Sequence, residues 1–576
     1  MRIGLVTEGG YPYVSGDAGL WCERLVRGLE RHEFDLYALS RSRQQEDEGW
    51  VPLPPQVSRV RTASPWAAED DGAVYGRRAR RRFAECYGEL ASALVAASGG
   101  DLREPGTAAA TGGAGIEADR FSSGLYGLAE LARDEGGLAD ALRSEAAVRA
   151  LERACRASGA PRAAREARVP DLLAVAAHLR QALSPLSLDW YEDDGLGATD
   201  LCHAAAGGTA ALSGLLARHF TGVPLLVTEY GVQLRAHYLA TGADGTAPAV
   251  RALLAAFHGS LAAEVYQRAA VVTHGNAHAR RWQERCGADR AKLRTVHPGM
   301  DAAPFAEAGE SPEAADPDTL VWVGRVGPAK DLVSLLHAFA EVRKQEPKAR
   351  LRIVSAGTGS DGAAYLGHCR ALAAQLFPDE AEGPHTVGHN PVSFEEIGGP
   401  EVPTLADAYA SGAVVVLSSV VEGFPLGLVE AMLCGRATVS TDVGAVVEVV
   451  GGTGVVVPPR NPRALAEVCV NLLRDPERRA RLGAAARARA LELFTIEQNI
   501  AAFHGIYLEV VSHCPVQRVV LDETGEPLPF AAPAEAHVPG RWTRAVDHVA
   551  ARSRPSWATG SPTGCAAPTT TTEASR

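Results

Sequence analysis

A chain of 576 residues exceeds what one hydrophobic core organises, so two or more domains are expected. Its 46% hydrophobic and 22% charged residues suit a folded globular protein, and a formal net charge of -12 argues against nucleic-acid binding, which relies on cations displacing counterions. No run approaches the roughly 20 apolar residues that span a bilayer, Met1 leads straight into a strand-like segment without a leader pattern, and ten scattered cysteines form no CxxC pair; the expectation is a cytoplasmic chain with reduced thiols and no metal.

The opening reads as strand Ile3–Thr7, a glycine-bearing loop Gly9–Gly19, helix Leu20–Arg31 and strand Phe34–Leu39, a Rossmann-type start. From about 66 to 186 the pattern turns helical and rich in Ala, Arg and Leu, interrupted by the Gly/Ala/Thr-rich stretch Ser98–Gly115. This segment is expected to be a helical insertion. Strand-helix alternation resumes at Asp200–His203, Pro224–Thr228, Ala269–Thr273 and Leu293–Val296. Asp301–Asp318 reads as a linker between a first domain (1–310) and a second (311–494). The second carries apolar runs at Leu320–Val323, Arg350–Ser355, His385–Val387, Ala413–Leu417, Ala437–Thr441 and Gly454–Val457, which predict a second parallel sheet. An apolar stripe at Ile496, Ile500, Phe503, Ile506 and Tyr507 predicts a helix over 495–515, followed by an extension (516–576) expected to be mostly disordered. The fold class is therefore α/β, two Rossmann-like doubly wound domains facing a cleft.

The chemistry concentrates in Ser418–Met432. A strand ending at Leu417 leads into a loop, and Pro425 is expected at the first helical position, leaving the N–H groups of Leu426, Gly427 and Leu428 to face an anion such as a diphosphate. Glu422 precedes that helix end and Glu430 follows it by about 7.5 Å along the axis, so two carboxylates can take hydroxyls on either side of a diphosphate. Gly324-Arg325…Lys330 adds two cations at the end of another strand of the same sheet, and Gly357 and Gly359 lie at the end of the next. Taken singly, Glu422 could be a cap, Glu430 a solvated face residue, and Arg325 and Lys330 solvated cations. His203, His237 and His274 lie near strand ends and could line a cleft or be structural. The run Arg77–Arg82 reads as a solvated helix face or a contact for an anionic surface.

The chain resembles family 4 glycosyltransferases of the GT-B fold, and within them the branch that includes the Pel-polysaccharide glycosyltransferase. The resemblance covers roughly residues 1–40 and 197–515. It rests on Glu422-x7-Glu430, Gly324-Arg325…Lys330, Thr441-Asp442-Val443-Gly444-Ala445, Tyr11-Pro12-Tyr13-Val14-Ser15-Gly16 and Leu226-Val227-Thr228-Glu229-Tyr230-Gly231. It implies that Arg325 and Lys330 neutralise a leaving diphosphate, Glu422 holds donor-sugar hydroxyls, and Glu430 holds the ribose. It also implies that backbone near Gly388 and His389 meets the base, that Gly423 belongs to the donor loop, and that Gly16 approaches the diphosphate from the first domain. Two positions depart from the pattern: Asp17 stands where a second glycine is common, and Tyr230 where the branch carries histidine.

The implied activity is retaining transfer of a hexosyl unit from a nucleotide diphosphate sugar, with UDP as the expected carrier, to a hydroxyl acceptor. No metal or other cofactor is expected, because cations and helix N–H groups replace one; Tyr230 is expected to position sugar or acceptor from the cleft wall. The partners are then the nucleotide-sugar donor and the acceptor, with association to a membrane surface or a polysaccharide assembly left open. An inositol phosphate or other small-polyol glycosyltransferase, a phosphorylase or epimerase on the same fold, and a sugar-nucleotide-sensing subunit without turnover are the competing readings.

Overall fold

Most of the apolar runs become inner strands of parallel sheets, which need helices on both sides, while Leu293–Val296 and Gly454–Val457 form edge strands. The computed structural model describes residues 1–13, 16–67, 71–99, 113–241, 245–310, 315–358, 362–378 and 390–516. The first sheet contains β1 (Arg2–Glu8), β2 (Glu33–Leu39), β3 (Val57–Ala63), β4 (Leu201–Ala204), β5 (Leu225–Thr228), β6 (Val271–His274) and β7 (Leu293–Thr295). Its order is β3-β2-β1-β4-β5-β6-β7, and every neighbouring pair is parallel. The second contains β8 (Asp316–Val326), β9 (Arg350–Thr358), β10 (Val392–Glu396), β11 (Gly412–Leu417), β12 (Ala437–Thr441) and β13 (Val455–Val457), ordered β10-β9-β8-β11-β12-β13.

In each sheet the chain winds outward from its first strand, then returns to that strand's other side. The reversal falls between β1 and β4 in one sheet and between β8 and β11 in the other. Loops leaving the carboxyl ends of such a strand pair diverge to opposite faces and open a crevice, the place where doubly wound sheets bind ligands.

Two edge strands escape the sequence pattern. β3 reads Val-Ser-Arg-Val-Arg-Thr-Ala and β10 reads Val-Ser-Phe-Glu-Glu, each only partly buried. An edge strand has one unpaired side and tolerates charge, so it lacks the apolar run that marks an inner strand. The run His385–Val387 lies outside the described residues, as do Gly359, Gly388, His389 and the chain beyond residue 516.

Helices Arg77–Ala97, Gly113–Glu135, Glu145–Arg156 and Val169–Leu183, with shorter ones between, occupy the chain from β3 to β4. They pack Phe83, Tyr87, Leu90 and Phe121 into a core shared with Leu215 and Phe257 on one face of the first sheet. Arginines at the start of this region are drawn into carboxylate pairs, Arg81 with Glu85 and Arg82 with Glu130 and Asp134. The opposite face is covered by helix Gly16–Gly28, through Trp21 and Leu25, and by helix Ile496–His513, through Phe503, Ile506, Tyr507 and Val510. Each apolar side chain of that size contributes roughly 1.5–3 kcal/mol on burial, so this last helix is held firmly to the first domain. The chain crosses between domains twice, side by side: the Met300 N–H donates to the Phe494 carbonyl at 2.8 Å, and the Ile496 N–H to the Met300 carbonyl at 3.1 Å.

Candidate functional site

The crevice between β8 and β11 is built by two loops that hold each other. Val420 N–H donates to the Ala329 carbonyl at 2.8 Å and the Ser418 hydroxyl to the Lys330 carbonyl at 2.7 Å. Lys330 Nζ then reaches the Glu422 carboxylate, which also accepts from the Ser419 hydroxyl at 2.7 Å. Lys330 is therefore no free loop cation: its side chain is 26% exposed and that of Glu422 only 10%. Arg325 lies near the end of β8, exposed, with no ion pair among the described residues.

A third loop fixes the position of Glu422. Thr441, at the end of β12, donates to the Ser419 carbonyl at 2.6 Å, and Ala445 N–H to the Gly423 carbonyl at 3.1 Å. Gly444, at φ +58°, lies so close that an added Cβ would stand 2.5 Å from the Glu422 carbonyl oxygen. That explains the glycine in the Thr441–Ala445 motif: both its backbone angle and the adjoining loop refuse a side chain.

The helix after Glu422 differs from the sequence expectation. It runs Leu426–Leu433 with Pro425 as its cap, not its first helical residue, so it starts one residue later. The Leu426 and Leu428 N–H groups turn inward to the carbonyls of Phe424 and Pro425, both at 3.0 Å. Only Gly427 of the three keeps an N–H without a hydrogen bond among the described residues. Glu430 sits one turn in, its carboxylate accepting from the buried Tyr409 hydroxyl at 2.8 Å. Gly357, at φ +100°, needs glycine to end β9. Among the described residues nothing fills the space beside Gly357 or Gly423.

The first domain presents its own carboxyl edge to these loops. Arg235, on helix Gln233–Thr241 just after β5, donates to the Glu422 carbonyl at 2.9 Å. Ala277 N–H, at the start of helix Ala277–Arg285 after β6, donates to the Glu448 carboxylate at 2.6 Å, and the His297 ring lies 6.0 Å from that of Phe424. Gly16 is the first residue of helix Gly16–Gly28, which begins four residues before the expected start.

Among the described residues Tyr230 makes no hydrogen bond or ring contact with Lys330 or Glu422. Its hydroxyl accepts from Asn499 Nδ2 at 3.3 Å and its ring meets Trp21 edge-on at 5.3 Å, against Gly275. The three histidines near strand ends also have structural partners. His203 bonds Tyr507 at 2.8 Å and Thr228 at 2.7 Å, His274 bonds Thr295 at 2.8 Å, and His237 bonds the Arg251 carbonyl at 3.0 Å. Burial holds all three below the usual imidazole range, His203 at about 3.

Two residues on the first-domain side were given no role by the sequence. One is Arg235, whose only signal is its place a helical turn past Thr228-Glu229-Tyr230-Gly231. The other is Glu229, buried against Gly207 in the loop after β4, where Tyr266 donates to it and the Gln233 N–H approaches at 3.4 Å. Burial pushes its carboxyl up to about 7, opposed by those hydrogen bonds. Among the described residues no group of three or more His, Cys, Asp or Glu could hold a metal ion, and no helix is long and apolar enough to cross a membrane.

Residues 317–475, which hold the Lys330–Glu422 pair, match the family described as "Glycosyl transferases group 1". D-inositol 3-phosphate glycosyltransferases are similar: that of Kineococcus radiotolerans is 34% identical over 38% of this chain and 52% of its own, and that of Nocardioides sp. 30% identical over 51% and 64%. The chain thus spans about half the length of the first of these relatives and somewhat less than two thirds of the second. Sucrose-phosphate synthase from Thermosynechococcus elongatus has a similar structure, with a TM-score of 0.52 and 16% identity, covering 89% of this chain and 100% of that one. Anabaena Alr3699/HepE in complex with UDP gives a TM-score of 0.50 at 14% identity, covering 88% and 99%. At these identities the likeness is one of fold, two Rossmann-like domains in the GT-B arrangement. Residues 1–291 match the family described as "Domain of unknown function (DUF3492)"; the chain belongs to that family and joins it to a group 1 glycosyl transferase domain.

Proposed function

We propose that the chain is a retaining glycosyltransferase that moves a hexosyl unit from a UDP-sugar to a hydroxyl acceptor, in polysaccharide or glycoconjugate synthesis. The observation that carries this reading is the Lys330–Glu422 pair at the β8/β11 crevice, beside the open Gly427 N–H and the exposed Arg325. A cation, a carboxylate and a helix end in one crevice match the three parts of a sugar diphosphate. Arg325 and Lys330 take the diphosphate oxygens, Glu422 the sugar hydroxyls, and Glu430 the ribose. Gly357 and Gly423 allow close backbone approach to the donor, backbone near Gly388 and His389 meets the base, and Gly16 approaches the diphosphate from the first domain. Uridine as the base draws support from the UDP in the HepE complex.

In the transfer step the bond from the anomeric carbon to the diphosphate oxygen breaks and one to the acceptor oxygen forms on the same face. The acceptor proton passes to a departing phosphate oxygen, and UDP leaves. Charge grows on the diphosphate, so fixed cations and the Gly427 dipole lower the barrier without a protein nucleophile or a metal. The test is incubation of the full chain with UDP-sugars and candidate acceptors, product mass by mass spectrometry, and anomeric configuration by NMR, with and without excess EDTA. A product of retained configuration in both conditions is expected. Inverted product, or turnover abolished by EDTA and restored by manganese, contradicts the mechanism.

A further inference from the structure

The first-domain side of the cleft carries charge of the wrong sign for a chain of net charge -12. Helices Gln233–Thr241 and Ala277–Arg285 lie together there, with the Tyr238 and Trp282 rings 6.4 Å apart. Positions 278, 281 and 285 recur at helical spacing and so share one face of the second helix. His278 faces three guanidinium groups, those of Arg235, Arg281 and Arg285, which together with burial hold its pKa down. Its Nε2 is buried and makes no hydrogen bond among the described residues. Arg281 and Arg285 are exposed and have no ion pair among the described residues, while Arg280, on the neighbouring face, is matched by Glu284. Arg285 is braced over the Trp282 ring at 5.5 Å. Arg235 ties the face to the donor loop through its contact with the Glu422 carbonyl, and Tyr238 is 43% exposed beside it.

We propose that Arg235, His278, Arg281 and Arg285 form the anion subsite of the acceptor, so that the acceptor is a hydroxyl compound carrying a phosphate or carboxylate group. This rests on the donor reading above, which puts the transferred sugar at Glu422 and the acceptor on the opposite wall. The argument is one of compensation. Guanidinium groups gathered around a buried imidazole nitrogen that makes no hydrogen bond among the described residues repel one another, with Glu422 drawing on Arg235 alone of the three, and an oxyanion relieves that repulsion while giving planar, forked donors a match. Tyr238 and Trp282 supply flat surfaces for the ring of a sugar or polyol. Carboxylates at this wall are already engaged: Glu422 with Lys330, Glu448 with the Ala277 N–H, and Glu284 with Arg280 and Arg290.

The test uses the full chain and three titrations read by calorimetry. UDP is titrated first; then inorganic phosphate and, separately, glucuronate are titrated into the UDP-saturated chain. The inference expects one of these anions to bind, and to bind about tenfold or more weakly in Arg281→Gln/Arg285→Gln, with UDP affinity and melting temperature unchanged. Glutamine keeps helix propensity at both exposed positions, so the variant folds. Stronger binding of phosphate marks a phosphorylated acceptor, and of glucuronate an acidic sugar. Binding of neither anion to the wild-type chain, or equal binding to the double variant, overturns the inference. Failure of UDP to bind the wild-type chain counts against the donor reading instead; the anions are then titrated into the free chain, where Arg325→Gln/Lys330→Gln should leave the Arg281/Arg285-dependent binding in place.

Discussion

The Lys330 ammonium meets the Glu422 carboxylate across 92 positions of sequence, and the two side chains are unequally buried, 26% against 10% exposed. Losing Lys330 would leave a largely covered carboxylate with the Ser419 hydroxyl as its one hydrogen-bond donor among the described residues. Lys330→Ala should therefore weaken UDP binding about tenfold or more and also lower stability by about 1 kcal/mol, the cost of an unpaired polar group in a partly wet site. Arg325→Ala should weaken UDP binding similarly with an unchanged melting temperature, because Arg325 is exposed and makes no ion pair among the described residues. Calorimetry and urea denaturation separate the two variants; identical profiles would mean that Lys330 is not seated as described.

Gly444 supplies a steric test of the same loop. Gly444→Ala sets a methyl group 2.5 Å from the Glu422 carbonyl oxygen at a backbone angle of φ +58°. The Glu422–Gly423 segment must move, at a cost of about 1–3 kcal/mol. Affinity for the UDP-sugar should fall with the melting temperature. An unchanged UDP-sugar affinity would detach Glu422 from donor binding.

Glu229 makes stability depend on pH. Its carboxyl is raised from 4.5 to about 7, chiefly by burial, so between those values the folded chain keeps a proton that the unfolded chain has released. Its stabilising contribution is full in acid and fades as pH rises through about 7, with a slope of up to roughly 1.4 kcal/mol per pH unit. His203, His258 and His274, held at about 3, 4 and 4, slope the opposite way, since the unfolded chain takes up protons below 6.5. The wild-type profile mixes both signs. The difference between wild type and Glu229→Gln isolates the first, and should favour the variant increasingly as pH rises from 5 to 7. A flat difference contradicts the buried charge.

Tyr230→Phe removes the hydroxyl that Asn499 holds at 3.3 Å and leaves the ring against Trp21. Stability should fall by about 1 kcal/mol. Burial raises the hydroxyl's pKa well above its ordinary range, so the pH profile of the rate should keep its shape. A rate that changes its pH dependence would give Tyr230 a proton-carrying role.

What the sequence disclosed follows from what each segment had to bury. Inner strands such as Leu225–Thr228 and Ala437–Thr441 are covered on both faces and spell that out as apolar runs. β3 and β10 need one covered side and are written in arginine, serine and glutamate. The Glu422…Glu430 spacing and the Arg325…Lys330 pair were legible because each lies within one short segment. The Lys330–Glu422 bond, the Arg235 contact and the Gly444 packing join segments far apart in sequence, and only the winding of the sheets brings those segments to one edge. Histidines near strand ends stayed open for the converse reason: a strand end can face the cleft or the packing helix, and Tyr507 of the returning helix claimed His203.

Met300 bonds Phe494 and Ile496 at once, so both passages of chain between the domains run through a single short seam. Two strands stitched along one line resist sliding and stretching but twist readily, and the remaining freedom is rotation about that line. Opening and shutting would then be a door's motion on one jamb. The Arg235–Glu422 and Ala277–Glu448 bonds, which span the gap, act as its catches.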